Sequence, residues 1–504
     1  MWKWGSRVAQ STIRGLRAFR EEFLKAYLNE EESILSPDNF GSIDARRVRY
    51  AILWAYYNND VYRDVNNFAR TYKTRFSLGK YIRNIYNPAY RLAEFYRSYL
   101  WGRGEDGIVL PIATDNQEII EHLQKIWKWS NWRVRSDTVA LYGTVMGDVF
   151  LRVVDAPEAE KVYLSMINPS TITHLDKDEF GNVKGYVLEE ERISPENGKA
   201  VRYTEVAERR DGAVVYSTYM NDVPYPWNDE AISWAVEYDF VPVVHLQHND
   251  VGIDWGYSEF QPVLSKVREV DDLASALGDQ VRRGVNPAWL LAGVKQPSSS
   301  LAPTGRTRDA TSRPDPGREE TPMLYANDSQ AKPHALVPPV DLEGTVLHIN
   351  SILSEIERDY PELRFDNLRA SGEVSGKSLR VARQPAETKI KARRDNYDDA
   401  LMRAQQMALT IGGIRGYFPG ISLDSYATGA LDHSIGDRPV FEAGEEEKLE
   451  MELAFWNAAK VAKETGMPLT AYLAHAGWSE EKIAELEKHP EMLARLGLLE
   501  NLGG

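Results

Sequence analysis

Cysteine is absent from this chain of 504 residues. Its absence excludes disulfide bonds, thiolate metal sites and cysteine nucleophiles, and it fits a reducing compartment. Long apolar runs are lacking too: no stretch reaches the roughly 18 apolar residues that a membrane-spanning helix needs. The first seven residues, Met-Trp-Lys-Trp-Gly-Ser-Arg, also lack the apolar core of a signal peptide. We therefore predict a soluble protein with no membrane partner.

Basic residues are also fewer than acidic ones: 60 Lys and Arg stand against 75 Asp and Glu, which gives a formal net charge of −15. Tight, sequence-independent binding of nucleic acid needs many Lys and Arg contacts to phosphate, so the composition argues against it. The acidity is compatible with DNA that passes through a channel without sticking to its wall. Ordinary soluble enzymes can be equally acidic. The length suffices for a large core and predicts more than one domain.

Familiar catalytic motifs are missing: there is no Gly-x-Ser-x-Gly elbow, no His-Glu-x-x-His and no dinucleotide-binding glycine pattern. Residues 372–378, Gly-Glu-Val-Ser-Gly-Lys-Ser, look like a phosphate loop but are one residue short of Gly-x4-Gly-Lys-Ser. The shortening matters because the loop amides must wrap the phosphates from a fixed distance. We predict no catalytic residue and no cofactor.

Two acidic or histidine-bearing stretches could suggest a metal. His245 and His248 are three residues apart, and on an extended strand they would point to opposite faces. The loop 176–182 is acidic, but Phe180 occupies its fifth position and no Glu closes a loop of calcium-binding length. We therefore predict no metal site, and interpret these stretches as a polar strand end and a hairpin turn.

Hydrophobic periodicity predicts a mixed α+β fold that is mainly helical. The N-terminal part reads as aromatic-rich helices, followed by helices over 116–130 and 131–147. Short alternating segments then predict strands, among them 149–154, 162–167, 183–190, 201–205 and 241–245. A long helix is predicted over 257–283 with Ser258 as its cap. Acidic and short helices are predicted over 445–464, 469–475 and 479–488.

The most informative stretch runs from residue 341 to residue 414. A helix over 342–360 carries apolar residues on one face, and a polar loop follows it. A long charged helix then begins near Ser375 and contains Pro385, where it should bend or restart because proline lacks the N–H and clashes with the preceding turn. The face of the first helix is formed by Val346, Ile349, Ile352, Leu353 and Ile356.

This order resembles the portal proteins of tailed bacteriophages, the ring-shaped connectors at the DNA-packaging vertex. In that family a stem helix leads into a tunnel loop, and a Ser-Gly-x-Ser/Ala-Leu run opens the long kinked helix behind it. The matching run here is Ser375-Gly-Lys-Ser-Leu379, with charged residues following at Glu387, Lys389, Lys391, Arg393 and Arg394. Gly-Tyr-Ser-Glu before the helix at 257 and Asn-Pro after it are also similar to the portal pattern. The resemblance covers about residues 45–490.

The resemblance implies a portal-type fold with wing, stem, clip and crown. On that basis the wing is 1–256, the first stem helix 257–287, the clip 288–340 with a flexible loop at 295–322, and the second stem helix 341–360. The tunnel loop would be 361–376, the long kinked helix 377–413 and the crown 414–504. The family's clip is compact, so the long loop at 295–322 departs from it.

The resemblance also implies a function that is not enzymatic. The chain would form a ring, typically a dodecamer in the virion, through which double-stranded DNA is packaged and ejected. Its partners would be the terminase large subunit, head–tail adaptor, capsid and scaffolding proteins, first in the host cytoplasm and then at the capsid vertex. The DNA channel would be lined by Arg364, Asn367, Arg369, Lys377 and Arg380, and the clip would dock partners through Arg306, Arg308, Arg313 and Arg318.

A second hypothesis stays open from the residues alone: a nucleotide-binding enzyme that uses the short phosphate loop at 372–378. The two hypotheses differ in oligomeric state, since a portal forms rings and the enzyme need not.

Overall fold

The computed structural model describes most of the chain between Ile43 and Leu486. The described residues are 43–62, 86–102, 110–114, 116–227, 231–285, 288–292, 323–326, 334–336, 341–364, 376–441, 445–478, 483 and 486. They form an α+β fold with more helix than strand, which confirms the predicted class in this coarse form.

The chain divides into two compact units. The first comprises Met1–Gly372 and Arg383–Arg438, and the second comprises Glu373–Ala382 and Pro439–Gly504. Residues 414–438, which the portal resemblance places in the crown, belong to the first unit.

The described part of the first unit begins with helices. They are α1 (Ile43–Tyr57), α2 (Pro88–Tyr99), α3 (Gln117–Ser130) and α4 (Trp132–Met146). Asn87 and Asn116 cap α2 and α3 by accepting an N–H of the first turn, as side-chain oxygens do at helix starts. Helix α4 packs against both α1 and α2.

Two antiparallel sheets follow. A short strand, β1 (Ile112–Ala113), stands apart and pairs with β14 (Ser434–Ile435). The three-stranded sheet has the order β10-β2-β3, from β2 (Asp148–Ala156), β3 (Lys161–Ile167) and β10 (Val243–Gln247). The six-stranded sheet has the order β4-β5-β6-β7-β8, with β9 also paired to β7. Its strands are β4 (Ile172–Lys177), β5 (Val183–Ile193), β6 (Ala200–Arg210), β7 (Ala213–Met220), β8 (Val223–Pro224) and β9 (Ser233–Val236).

One hydrophobic core joins these sheets, with Phe150, Leu188, Val214, Val243 and Trp255 among its buried members. The acidic loop between β4 and β5 is a hairpin turn, as predicted. The Asp178 carboxylate accepts the backbone N–H groups of Phe180 and Asn182 at 2.9 and 2.8 Å, so it stabilises the turn itself.

A pair of antiparallel helices comes next, α5 (Leu264–Val285) and α6 (Leu342–Asp359). Lys266 near the start of α5 lies 2.7 Å from Asp359 and 3.6 Å from Glu355 at the end of α6. Between the two helices the chain forms a small sheet of order β12-β11-β13, from β11 (Ala288–Ala292), β12 (Met323–Ala326) and β13 (His334–Leu336).

The start of α5 corrects one prediction. The helix begins at Leu264 after a single 3-10 turn, Gln261–Val263, and not at Tyr257. Ser258 does not cap it, because its hydroxyl is buried and donates to the Thr144 carbonyl at 3.0 Å. A tertiary hydrogen bond has replaced the local one that the sequence suggested.

The long helix α7 (Gly376–Ile414) continues through Pro385 without a restart. Pro385 has no N–H for the Val381 carbonyl, so one helical hydrogen bond is missing there. The boundary between the two units, at Ala382 and Arg383, falls within one turn of this proline. A short helix, α8 (Leu423–Ala427), completes the described elements of the first unit.

The second unit contains α9 (Glu445–Glu464) and α10 (Leu469–His475), both with the predicted bounds. They pack through a small core of Trp456, Ala459 and Leu473. The aromatic rings of Phe455 and Trp478 stack beside it with centroids 6.0 Å apart. The predicted helix at 479–488 lies almost wholly outside the described residues.

Candidate functional site

A group of opposite charges, with buried carboxylates and half-buried cations, lies where the antiparallel helix pair meets the long helix. We call it the Glu259 cluster: His248, Glu259, Glu362, Lys389 and Arg393. Glu259 lies in the turn before α5, and Glu362 lies in the 3-10 turn Pro361–Arg364 that ends α6. Lys389 and Arg393 are one turn apart on α7, so both reach the same side of that helix.

Lys389 bridges the two carboxylates. Its Nζ lies 2.7 Å from Glu259 Oε1 and 2.9 Å from Glu362 Oε1. Arg393 Nε donates to Glu259 Oε2 at 2.9 Å, and a second guanidinium nitrogen donates to Asn249 Oδ1 at 3.0 Å. The cluster thus links the turn before α5, the 3-10 turn after α6 and helix α7, which are far apart in the chain.

His248 completes the cluster as a neutral side chain. Its Nε2 lies 3.0 Å from Glu259 Oε2, and its Nδ1 lies 2.8 Å from the Tyr397 hydroxyl. The carboxylate can only accept, so Nε2 carries the proton and Nδ1 accepts from Tyr397. Burial lowers the pKa of His248 against the opposing pull of Glu259. With His248 neutral, two carboxylates balance two cations.

Glu259 is held in its charged form. Burial by itself would raise the pKa of Glu259, but the hydrogen bond from His248 and the charges of Lys389 and Arg393 outweigh burial and lower the pKa. Buried charges persist only when they are paired and hydrogen-bonded, and this one has a donor on each oxygen.

Further hydrogen bonds secure the 3-10 turn at 361–364. Tyr96 on α2 donates to Glu362 Oε1 at 2.8 Å, and Arg91 donates to the Leu363 carbonyl at 3.0 Å. Tyr360 donates to the Glu259 backbone carbonyl at 2.9 Å. The predicted tunnel loop, 361–376, therefore begins with a firmly held 3-10 turn at 361–364 rather than with open loop, because Glu362 and Leu363 are buried there. Residues 365–375 lie outside the described residues.

The structure places only part of the predicted DNA-channel set. Arg364 is exposed at the last position of the 3-10 turn. Lys377 and Arg380 belong by their backbone to the first turns of α7. Asn367 and Arg369 lie outside the described residues, and so do the predicted partner-docking residues Arg306, Arg308, Arg313 and Arg318. In the sequence, Arg364 thus lies within the predicted tunnel loop, 361–376, and Lys377 directly follows it.

The Glu259 cluster was missed by the sequence analysis. Lys389 and Arg393 were noted only as part of a charged run. Their spacing of four, in phase with the buried apolar residues Ala386 and Ile390, is the one signal that could have shown that these cations face inward. No local sequence pattern indicates that Glu259 and Glu362 are the partners of Lys389 and Arg393.

The predicted polar strand end at His245 and His248 is buried and hydrogen-bonded rather than solvated. His245 lies 2.8 Å from Asp148, and His248 belongs to the Glu259 cluster. Within the described part of the chain, no group of three or more His, Asp or Glu side chains is arranged to hold a metal ion.

No protein-family model matches this chain, and no curated protein sequence matches it. None of the described helices is long and apolar enough to cross a membrane.

Proposed function

We propose that this chain is the subunit of a phage portal, a ring-shaped channel through which double-stranded DNA enters and leaves a capsid. The observation that carries the proposal is the arrangement around the antiparallel pair α5 and α6. At one end of the pair the chain forms a separate three-stranded sheet. At the other end lie the Glu259 cluster and the long helix α7.

This arrangement supports a conduit because it has the parts that a conduit needs. In this proposal the small sheet beyond the helix pair is the clip, which docks the packaging motor and later the tail adaptor. The buried ion pairs brace the base of the helix pair, so that a loop there can be held in a fixed position. We propose that the predicted tunnel loop, 361–376, faces the channel after its initial 3-10 turn, with Arg364, Asn367, Arg369, Lys377 and Arg380 near the DNA.

Salt-sensitive contacts to phosphate are independent of sequence, as a sliding substrate requires. In this proposal the partners are DNA, the terminase large subunit, the head–tail adaptor, and capsid and scaffolding proteins. The clip arginines at 306, 308, 313 and 318 would meet the motor or the adaptor. The protein would work in the virion after assembly in the host cytoplasm.

Helix α6 has an apolar flank that this single chain leaves partly uncovered. Ile356 is fully buried, but Leu342 and Val346 are exposed at 44% and 43%. Glu355, which faces Lys266 of α5, is nine positions from Val346, and nine steps of about 100° place it on the opposite side of the helix. The flank with Val346 therefore points away from α5, and a neighbouring copy would cover it.

We expect the purified chain to form rings, and the Val346→Glu variant to remain folded but to lose assembly. A charge at an exposed position costs the single chain little, whereas it would be buried between two copies. Negative-stain microscopy and multi-angle light scattering measure the result. Val134→Glu is the matched control, since Val134 is 60% exposed on α4, away from the helix pair.

Two results would count against the ring. One is a wild-type chain that stays monomeric over a wide concentration range and shows no rings in micrographs. The other is a Val346→Glu variant that assembles as well as Val134→Glu, which would move the contact between copies to a different surface.

The nucleotide-binding alternative rests on Lys377 in the short phosphate loop. A true phosphate loop follows a buried strand, whereas the described residues before this one form α6 and a 3-10 turn. We expect no Mg²⁺-dependent ATP hydrolysis by the purified chain, and no change in the background rate on Lys377→Ala. A phosphate-release assay with a matched Lys391→Ala variant checks this. Hydrolysis abolished by Lys377→Ala alone would favour the enzyme.

A further inference from the structure

A second buried constellation lies in the first unit, apart from the residues used in the proposed function. His245 on β10 is placed between Asp148 on β2 and Lys177 on β4. His245 Nε2 lies 2.8 Å from Asp148 Oδ1, and His245 Nδ1 lies 3.2 Å from Lys177 Nζ. The His245 and Asp148 side chains are almost completely buried. Lys177 reaches them from the six-stranded sheet, whereas the other two belong to the three-stranded sheet.

The hydrogen bonds determine which nitrogen of His245 carries the proton. An ammonium group can only donate, so Nδ1 must accept from Lys177. Nε2 then carries the single proton and donates it to the Asp148 carboxylate. The imidazole is held in this orientation by the Phe150 ring, which stacks on it with centroids 4.5 Å apart, and by Trp255 at 5.6 Å. The hydrogen bond between Lys177 and His245 therefore requires a neutral histidine.

Other charged groups face this constellation from helix α1. Tyr50 donates to Asp148 Oδ2 at 2.5 Å, and Arg46 stacks over the Trp255 ring at 3.4 Å while donating to a backbone carbonyl of β4. Arg49 also acts on Asp148 through its charge. The α1 side thus contributes positive charge, which opposes a further proton on His245.

The remaining neighbours come from the turn before α5. The Gly256 N–H donates to Asp148 Oδ1 at 2.6 Å, and Lys177 donates to the Asp254 carbonyl at 3.0 Å. The carboxylates of Asp250 and Asp254 act on Lys177 through their charge. Burial lowers the pKa of His245; Asp148 opposes this, and Lys177 and Arg46 add to it. Burial likewise lowers the pKa of Lys177.

We propose that the Lys177–His245 contact is an acid-sensitive latch that holds strand β4 to the three-stranded sheet. A proton taken from solvent at Nδ1 removes the only acceptor that His245 offers to Lys177. It also creates a second positive charge 3.2 Å from the ammonium group. Lys177 must then leave, and because the same amino group bonds the Asp254 carbonyl, the turn before α5 loses a contact as well.

Strand β4 is the element that this release would loosen. It is an edge strand of its sheet, so among the described strands only β5 pairs with its backbone. Edge strands with few partners open more easily than central strands. The latch is independent of the portal proposal, since it depends only on contacts within one chain.

Hydrogen exchange followed by mass spectrometry on the full-length protein tests the latch. Protection of β4 is compared at about pH 7.5 and about pH 4, after correction for the intrinsic pH dependence of exchange; the lower value lies well below the ordinary histidine pKa because burial lowers the pKa of His245. We expect wild-type protection to fall on the order of tenfold at the lower pH, the effect of losing one charge-assisted hydrogen bond. The Lys177→Met variant should show the low protection at both values.

Two further variants make the test specific. His245→Gln supplies one donor and one acceptor but does not titrate, so it should remove the pH dependence. Lys184→Met makes the same substitution at an exposed position on the neighbouring strand β5 and should behave as the wild type. Equal wild-type protection at both pH values would overturn the latch, as would an undiminished pH dependence in Lys177→Met or His245→Gln.

Discussion

Alanine in place of Gly256 is expected to destabilise the first unit strongly. A Cβ atom at this position would lie 1.9 Å from the Gly147 carbonyl oxygen and 3.1 Å from Asp148 Oδ1. The nearest atom belongs to the backbone and cannot rotate away. Overpacking of a core costs roughly 1–3 kcal/mol when side chains can adjust, and more when they cannot. We expect a loss of at least about 3 kcal/mol in the free energy of unfolding.

Neither backbone can shift without losing other contacts. The Gly147 carbonyl accepts the His248 N–H at 2.8 Å, and the Gly256 N–H donates to Asp148 at 2.6 Å. Gly147 itself has a φ of +87°, which a residue with a side chain rarely adopts. The two glycines therefore set how closely the end of α4 approaches the turn before α5.

Urea denaturation and the soluble yield measure the effect of Gly256→Ala. Gly436→Ala is the matched control, because a Cβ there would first meet Pro111 at 3.4 Å, an ordinary contact distance. We expect the control to change the free energy of unfolding by no more than about 0.5 kcal/mol. A soluble Gly256→Ala variant with wild-type stability would contradict the close approach of the Gly147 and Gly256 backbones.

Glutamine in place of Glu259 is expected to destabilise the first unit by about 3–5 kcal/mol, the usual result of removing one partner from a buried ion pair. The substitution keeps the size of the side chain but leaves Lys389 and Arg393 facing Glu362 as the only carboxylate of the cluster. An uncompensated positive charge then remains on two side chains, Lys389 and Arg393, that are only 23% and 16% exposed to solvent. The midpoint of urea or thermal unfolding measures the loss.

Glu387→Gln is the matched control for this substitution. Glu387 lies on the same long helix and pairs with Lys391 at 3.1 Å, but both side chains are substantially exposed. Exposed pairs of this kind contribute about 0.2–1 kcal/mol, so the control should have little effect. Adding Lys389→Met to Glu259→Gln removes the excess charge and should restore part of the lost stability. If Glu259→Gln and Glu387→Gln were equally stable, charge balance in the Glu259 cluster would be of no consequence.

Local patterns were sufficient for many elements. The helices at 445–464 and 469–475 were predicted with their observed bounds, because apolar periodicity and flanking turn residues are properties of neighbouring positions. The mixed α+β class followed from the same patterns. Strand β6 was predicted to end at Glu205 but continues to Arg210, because pairing with β5 and β7 extends it through a polar run.

Tertiary structure decided the positions where distant segments meet. The residues from Tyr257 to Glu259 have helical periodicity, but Tyr257 bonds Asn249, and Ser258 and Glu259 bond Thr144. Those contacts provide better partners than a first helical turn would, so α5 begins later. The Glu259 cluster is a stronger case: Glu259, Glu362 and Lys389 become neighbours only when three helices are packed. The spacing of residues in the sequence does not predict such a contact, because the energy of a buried charge depends on the groups that surround it in space.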